Sequence, residues 1–223
     1  MTDTVIPFSE LLRTRTRRSH SASARGGFLH DLVAGRCTVQ DYTALLVQYS
    51  YLYNALEQAS ETMRKDPVAR LFVSEQLTRL PAIHADLEFL AGPDWREQAR
   101  VLPATTRYVE RVRNVAARWP GGFIAHHYTR YLGDLSGGQM IGRSLAKQFA
   151  FDTNGIGFFI FDQVADPSAF KDTYRAQLDA VPWGDDERER VIQEVVLAYD
   201  FNQAMLDGLD TMRAGTAGET VGV

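Results

Sequence analysis

The chain has one cysteine in 223 residues, Cys37, so no internal disulfide can form, and a lone thiol suits a reducing cytoplasm. No run approaches the ~18 consecutive apolar residues that a membrane-crossing helix needs. The opening Met1-Thr2-Asp3-Thr4-Val5 has no basic region leading into an apolar one, so neither a signal peptide nor a membrane anchor is expected. Positive charge is not in excess. Lys and Arg number 24 against 28 Asp and Glu, and the net charge of −4 gives no global attraction to nucleic acid. Strand signals are almost missing. Gly157-Phe158-Phe159-Ile160-Phe161 reads as extended, and it suits a buried connector better than a sheet. With no internal repeat and no linker composition, one all-α domain is expected over 1–223, with residues 1–6 and about 213–223 as frayed tails.

What is present is helical periodicity, together with 45% hydrophobic residues, ample for a packed core. The first helix spans Phe8 to about Ala24, and a short one follows Gly26-Gly27 as far as Ala34. Thr38 is a good N-cap, with Asp41 three residues on, for a long helix ending near Lys65. Helices follow over Ser74–Leu90 and Pro103–Trp119, and then a glycine-interrupted one from about Phe123 to Ala150. Asp166-Pro167 opens another, with proline in its first turn, and Asp185 starts a last long helix reaching about Arg213. The sum is a bundle of about eight helices joined by short loops.

Within the glycine-interrupted helix, Gly133, Gly137, Gly138 and Gly142 fall within ten residues. Each costs a helix roughly 1 kcal/mol relative to alanine, so something has to offset some 3–4 kcal/mol. Projected at 100° per residue, Gly133 and Gly137 lie within about 40° of each other, and Asp134 sits at the edge of that bare face. A flat ligand pressed against backbone would use such a face. Close approach of a second helix, a kink, or a loop between two helices explains the spacing equally well.

The first helix carries Phe8, Leu11 and Leu12 as its apolar stripe and is otherwise basic, with Arg13, Arg15, Arg17 and Arg18. His20 projects about 20° from Arg13 and 60° from Arg17, on the same side. By itself this describes a solvent-facing histidine on a basic surface helix. Lys171 and Arg175, four apart, read in the same way as a solvated face.

The run His126-His127-Tyr128-Thr129-Arg130-Tyr131-Leu132-Gly133-Asp134-Leu135-Ser136-Gly137-Gly138-Gln139 closely resembles the distal-helix signature of the haem oxygenases, and the resemblance extends roughly from Phe8 to Leu209. It implies haem b held between the first, proximal helix and a glycine-kinked distal helix, with His20 as the axial ligand of the iron. It implies that Gly133, Gly137 and Gly138 bring backbone up to the haem. Arg13, in place of the family's usual lysine, would meet the propionates together with Tyr128, Lys171 and Arg175. Tyr53, Arg130 and Asn202 match the family's distal hydrogen-bond network around the catalytic Asp134. One position departs from the pattern. The family usually has a glutamate four residues after the proximal histidine, where this chain has Ala24, so the carboxylate that would orient the imidazole is missing. His126 and His127, adjacent and about 100° apart on a helix, are assigned packing and hydrogen-bonding roles, and His30 and His84 structural or exposed ones.

The activity the resemblance implies is oxidative cleavage of haem at the α-meso carbon with O2, giving biliverdin, ferrous iron and carbon monoxide. Asp134 would hold the water that supplies the proton. Nothing in the chain is similar to a flavin or nicotinamide site, so electrons have to come from an external reductase. An acidic ferredoxin or flavoprotein could land on the Arg13–Arg18 patch. The expected protein is a cytoplasmic monomer serving, among other possibilities, iron acquisition. Two rivals of other classes are a haem carrier or sensor and a thiaminase-type hydrolase. The second needs a cysteine nucleophile, and Cys37 falls before a helix rather than beside a general base.

Overall fold

The computed structural model describes residues 6–24 and 27–219, with side chains for all of these but 21–24 and 216–219. Among them there is no strand. In chain order the α-helices are α1 (Phe8–Ala24), α2 (Gly27–Val33), α3 (Val39–Met63), α4 (Leu80–Ala91), α5 (Trp95–Gln98), α6 (Pro103–Ala116), α7 (Pro120–His127), α8 (Gln139–Phe149), α9 (Pro167–Ala180) and α10 (Asp185–Glu219). The all-α single bundle is as expected, with two of these helices no longer than seven residues.

Local signals explain several boundaries. Thr38 Oγ1 accepts from the Asp41 amide at 3.1 Å and Asp41 returns the bond to the Thr38 amide at 2.8 Å, a complete capping box for α3. Asp166 caps α9 through the amides of Ser168 and Ala169. The interior of the bundle is lined by α3, α6, α7 and α10, whose Leu45, Leu52, Tyr108, Phe123, Val195 and Leu209 are fully buried. Helix α10 packs along α1, α6 and α7, while α2 rests on α8 and α10.

Other boundaries differ from expectation for reasons that lie far along the chain. Ser74 starts only a short 3-10 turn, Glu75–Leu77, and α4 begins at Leu80. The Glu57 carboxylate of α3 accepts from the amides of both Arg79 and Leu80, at 2.7 and 2.9 Å, and so caps α4 from outside. In the Gly157–Phe161 connector Phe158, Phe159 and Phe161 are buried as expected while Ile160 is exposed, and the backbone is 3-10 rather than extended over Gly157–Phe159. Asp86 gathers the Gly157 and Phe158 amides at 2.9 and 2.8 Å, which curls the backbone. The last helix does not fray at Arg213; it continues to Glu219. Arg213 pairs with Asp31 of α2 at 2.5 Å, tying this part of α10 to the body of the protein.

The glycine-rich segment is neither a loop nor a simple kink. Between α7 and α8 the chain stays helical but widens into two successive π-turns, Tyr128–Leu132 and Asp134–Gly138. A π-turn inserts an extra residue per turn, so the 100° projection loses phase here.

Candidate functional site

The π-turns form one wall of a cleft that opens to solvent. An adjoining lobe shares His20, Thr129, Gly133, Gly137 and Tyr199 with it, so the two are one continuous cleft. The inner lobe is lined by Arg130, Asp134, Gly138 and Asn202 and by the apolar Ile141, Phe158 and Phe159. Arg13, Arg17, Tyr128 and Arg175 line the outer lobe. The floor is therefore apolar with a small polar cluster, and the mouth is cationic.

Two glycines leave that wall bare. A Cβ placed on Gly133 or Gly137 would meet nothing within 4 Å. Gly138 differs, since its Cβ would touch Asp134 and Phe159 at an ordinary 3.6 Å. Gly142 differs more, because its Cβ would lie 2.6 Å from Phe159 Cβ. Of the four glycines, two face open cleft and one lets α8 approach the connector closely.

Behind the wall is a buried polar cluster. Tyr53 of α3 donates to Asp134 Oδ2. Arg130 donates to the Tyr53 hydroxyl from Nε and Nη2, at 3.2 and 3.1 Å, and to Asn202 Oδ1 at 2.7 Å. Its guanidinium also stands 3.5 Å from Asp134 Oδ1. Burial raises the Asp134 carboxyl above its usual range, with the Arg130 charge and the Tyr53 hydrogen bond opposing. Tyr53 does not line the cleft; it backs Asp134. The structure thus brings Tyr53, Arg130, Asp134 and Asn202 together from three helical segments.

On the other wall, His20 is exposed to the cleft and its ring meets Tyr199 edge-on at 5.8 Å. Ala24 lies in α1, but its side chain falls outside the described residues. At the mouth, burial raises the Tyr128 phenol above its usual range, and the charges of Arg175 and Arg13 oppose that shift. Arg175 pairs with Asp172 at 2.7 Å. Lys171 is not among the lining residues; its ammonium donates to Ser136 Oγ at 3.1 Å, on the rim.

His126 and His127 are both buried, as packing residues should be. His126 Nε2 lies 2.8 Å from Glu194, which also takes a two-pronged bond from Arg111. His127 Nδ1 lies 3.0 Å from the Tyr174 hydroxyl. His30 and His84 each face an arginine near the surface, Arg36 and Arg96.

Sequence reasoning missed Tyr199, Thr129, Ile141, Phe158 and Phe159 as cleft residues. Tyr199 and Asn202, three apart on α10, had a usable signal, since that spacing puts both on one helix face. The two phenylalanines had none, because their place depends on the Asp86 bonds that curl the connector.

Comparison with known proteins points to one family. The family model described as "Heme oxygenase" matches residues 6–208. A heme oxygenase of Takifugu rubripes is 37% identical over 213 residues, covering 95% of this chain and 77% of the fish protein. Heme oxygenase 1 of Nostoc is 33% identical over 200 residues, covering 89% of this chain and 84% of its own. Among solved structures, heme oxygenase-1 of Synechocystis in complex with heme superposes with a TM-score of 0.90 at 31% identity, over 97% of this chain and 98% of that one.

Proposed function

The chain belongs to the haem oxygenase family, and from that premise we propose that it opens haem at the α-meso carbon, releasing biliverdin, ferrous iron and carbon monoxide. Membership makes it a haem-degrading oxidoreductase. The observation that carries the finer proposal is the pair of bare glycines, Gly133 and Gly137, across a cleft that also holds an exposed imidazole and a cationic mouth. A flat, apolar ring with an anionic edge fits those three features together.

When bound, haem supplies the iron that activates O2 and is itself the molecule cleaved. His20, which lines the cleft, would hold the iron through its imidazole. Arg13, Arg175 and Tyr128 hold the propionates, and Lys171 has to release Ser136 to join them. Gly133 and Gly137 would set bare backbone rather than a side chain against the ring, so neither position supplies an acid–base group there. Asp134, whose carboxyl burial raises above its usual range, would relay a proton through water in the cleft. Tyr53, Arg130 and Asn202 fix that carboxyl in place.

Electrons come from a separate reductase. Arg13, Arg15, Arg17 and Arg18 form an exposed basic patch on α1 suited to an acidic ferredoxin or flavoprotein. One chain supplies every wall of the cleft, which suits a monomer, and the single free thiol, Cys37, suits the cytoplasm.

The test is to add hemin and ascorbate, follow the haem band, and separate the products by chromatography. Bleaching with α-biliverdin as the main product is expected. A haem band that persists means a carrier, and chiefly β or δ isomer means the propionates are held elsewhere.

The glycines give a second test with opposite signs. Gly137→Ala should raise the stability of the haem-free protein by about 1 kcal/mol, since it improves helix propensity in open space. It should weaken haem binding, because the methyl group enters the cleft. Gly142→Ala should instead lower stability by about 1–3 kcal/mol through overpacking against Phe159. Urea unfolding and hemin titration read the two effects separately, and equal stability changes would mean that Gly133 and Gly137 do not form the bare wall.

A further inference from the structure

We propose that Tyr199 is a positioning residue whose ring sets the plane of the His20 imidazole by edge-on packing, where the family uses a carboxylate. The proposal rests on haem occupying the cleft with His20 as its ligand, as argued above.

His20 stands apart from the other histidines. His30, His84, His126 and His127 each have a hydrogen-bond partner at a ring nitrogen, in Arg36, Arg96, Glu194 and Tyr174. His20 has none among the described residues, and the glutamate usual four residues on is Ala24. A hydrogen bond at the second ring nitrogen is the common way to fix a metal-bound imidazole. Without one, the helix places the His20 Cβ but leaves the ring free to turn, because the last torsion of a histidine side chain is broad.

Tyr199 takes up that freedom. The two rings meet at 88° with centroids 5.8 Å apart, the perpendicular arrangement that aromatic pairs favour. An imidazole turned out of that plane gives up the contact. Tyr199 is itself well anchored on α10. Val195 one turn before it and Ala198 beside it are fully buried, and Asn202 three residues on accepts from Arg130. Helix α1 packs along α10, so residues 179 positions apart in sequence are held side by side. His20 and Tyr199 both line the part of the cleft that its two lobes share, together with Gly133 and Gly137. The ring contact therefore lies within the cleft itself.

A ring and a carboxylate do different work. The carboxylate orients an imidazole and also raises its basicity. Tyr199 stays neutral, since burial raises its phenol above the usual range, and so it supplies orientation without charge. The hydroxyl is not needed for this, whereas the ring is.

The experiment has one arm without haem and one with it. In the haem-free full chain, the ring protons of His20 are assigned by their loss in His20→Ala and followed by NMR. Cross-relaxation with the Tyr199 ring is expected in the parent. Tyr199→Leu should move the His20 signals to the position of a free histidine, and Tyr199→Phe should leave them in place. The same proteins are then loaded with ferric haem and cyanide and examined by electron paramagnetic resonance, whose g values report the plane of the imidazole. The parent and Tyr199→Phe should give one narrow low-spin species, and Tyr199→Leu a broadened or multiple one. Hemin affinity should stay within a few-fold, because the ligand itself remains, and thermal unfolding confirms that each variant folds. A Tyr199→Leu variant with the parent's g values overturns the proposal, even where the NMR contact is found. A Tyr199→Phe variant that behaves as leucine overturns it too, since the hydroxyl would then be the positioning group. A parent that binds no hemin, or binds it without His20, defeats the proposed function instead, and the haem-free arm still shows whether the rings touch.

Discussion

His20→Ala should bind hemin without histidine ligation and lose biliverdin formation by at least ~100-fold, since even an outer partner of a metal-bound histidine is worth 10–100-fold. The fold should survive, because His20 is exposed on α1 and its ring meets the Tyr199 ring edge-on at 5.8 Å. The ferrous–CO spectrum should shift away from the histidine-ligated form, and added imidazole should restore part of both spectrum and turnover by filling the space the side chain leaves. A variant with the parent's spectrum and turnover would show that His20 is not the ligand. The missing carboxylate at position 24 does not bear on this outcome, which depends on the identity of the ligand and not on its basicity.

Asp134 governs the second large effect, and here the structure changes what the experiment has to be. Regarded as a holder of water alone, Asp134 could be truncated at little cost. It is in fact the acceptor for Tyr53 and faces Arg130 in a buried cluster. Asp134→Ala should therefore lower stability by about 1–3 kcal/mol, the cost of leaving a buried donor short of a partner. It should still bind hemin within a few-fold of the parent, make little biliverdin, and gain peroxidase activity toward guaiacol, because the steering proton is lost. Proton relay and helix anchor are thus not exclusive roles, and alanine alone cannot separate them. Asp134→Asn can. It keeps an acceptor for Tyr53 but has no titratable proton, so stability should return while biliverdin formation remains low. Normal biliverdin yield from either variant would eliminate the proton role. Recovery of activity together with stability in the asparagine variant would leave only the anchor.

The sequence by itself determined what is decided within a few residues. Helical periodicity, the Thr38–Asp41 box and the Asp166-Pro167 start placed α1, α3 and α9 because those signals act across one turn. The glycine cluster marked the wall of the cleft because four glycines in a helix require a tertiary reason. The resemblance then supplied roles for His20, Asp134, Tyr53, Arg130 and Asn202 that spacing alone left open. The tertiary structure decided whatever depends on a distant partner. Glu57 caps α4 from 22 residues away, Asp86 curls the Phe158 connector across 72, and Arg213 secures α10 to Asp31 across 182. It also separated glycines that look alike in sequence, since Gly137 faces open cleft while Gly142 faces Phe159. The physical reason is the same throughout. A local signal is carried by backbone geometry that repeats every turn, whereas the worth of a carboxylate or a bare Cα depends on what the fold brings opposite it.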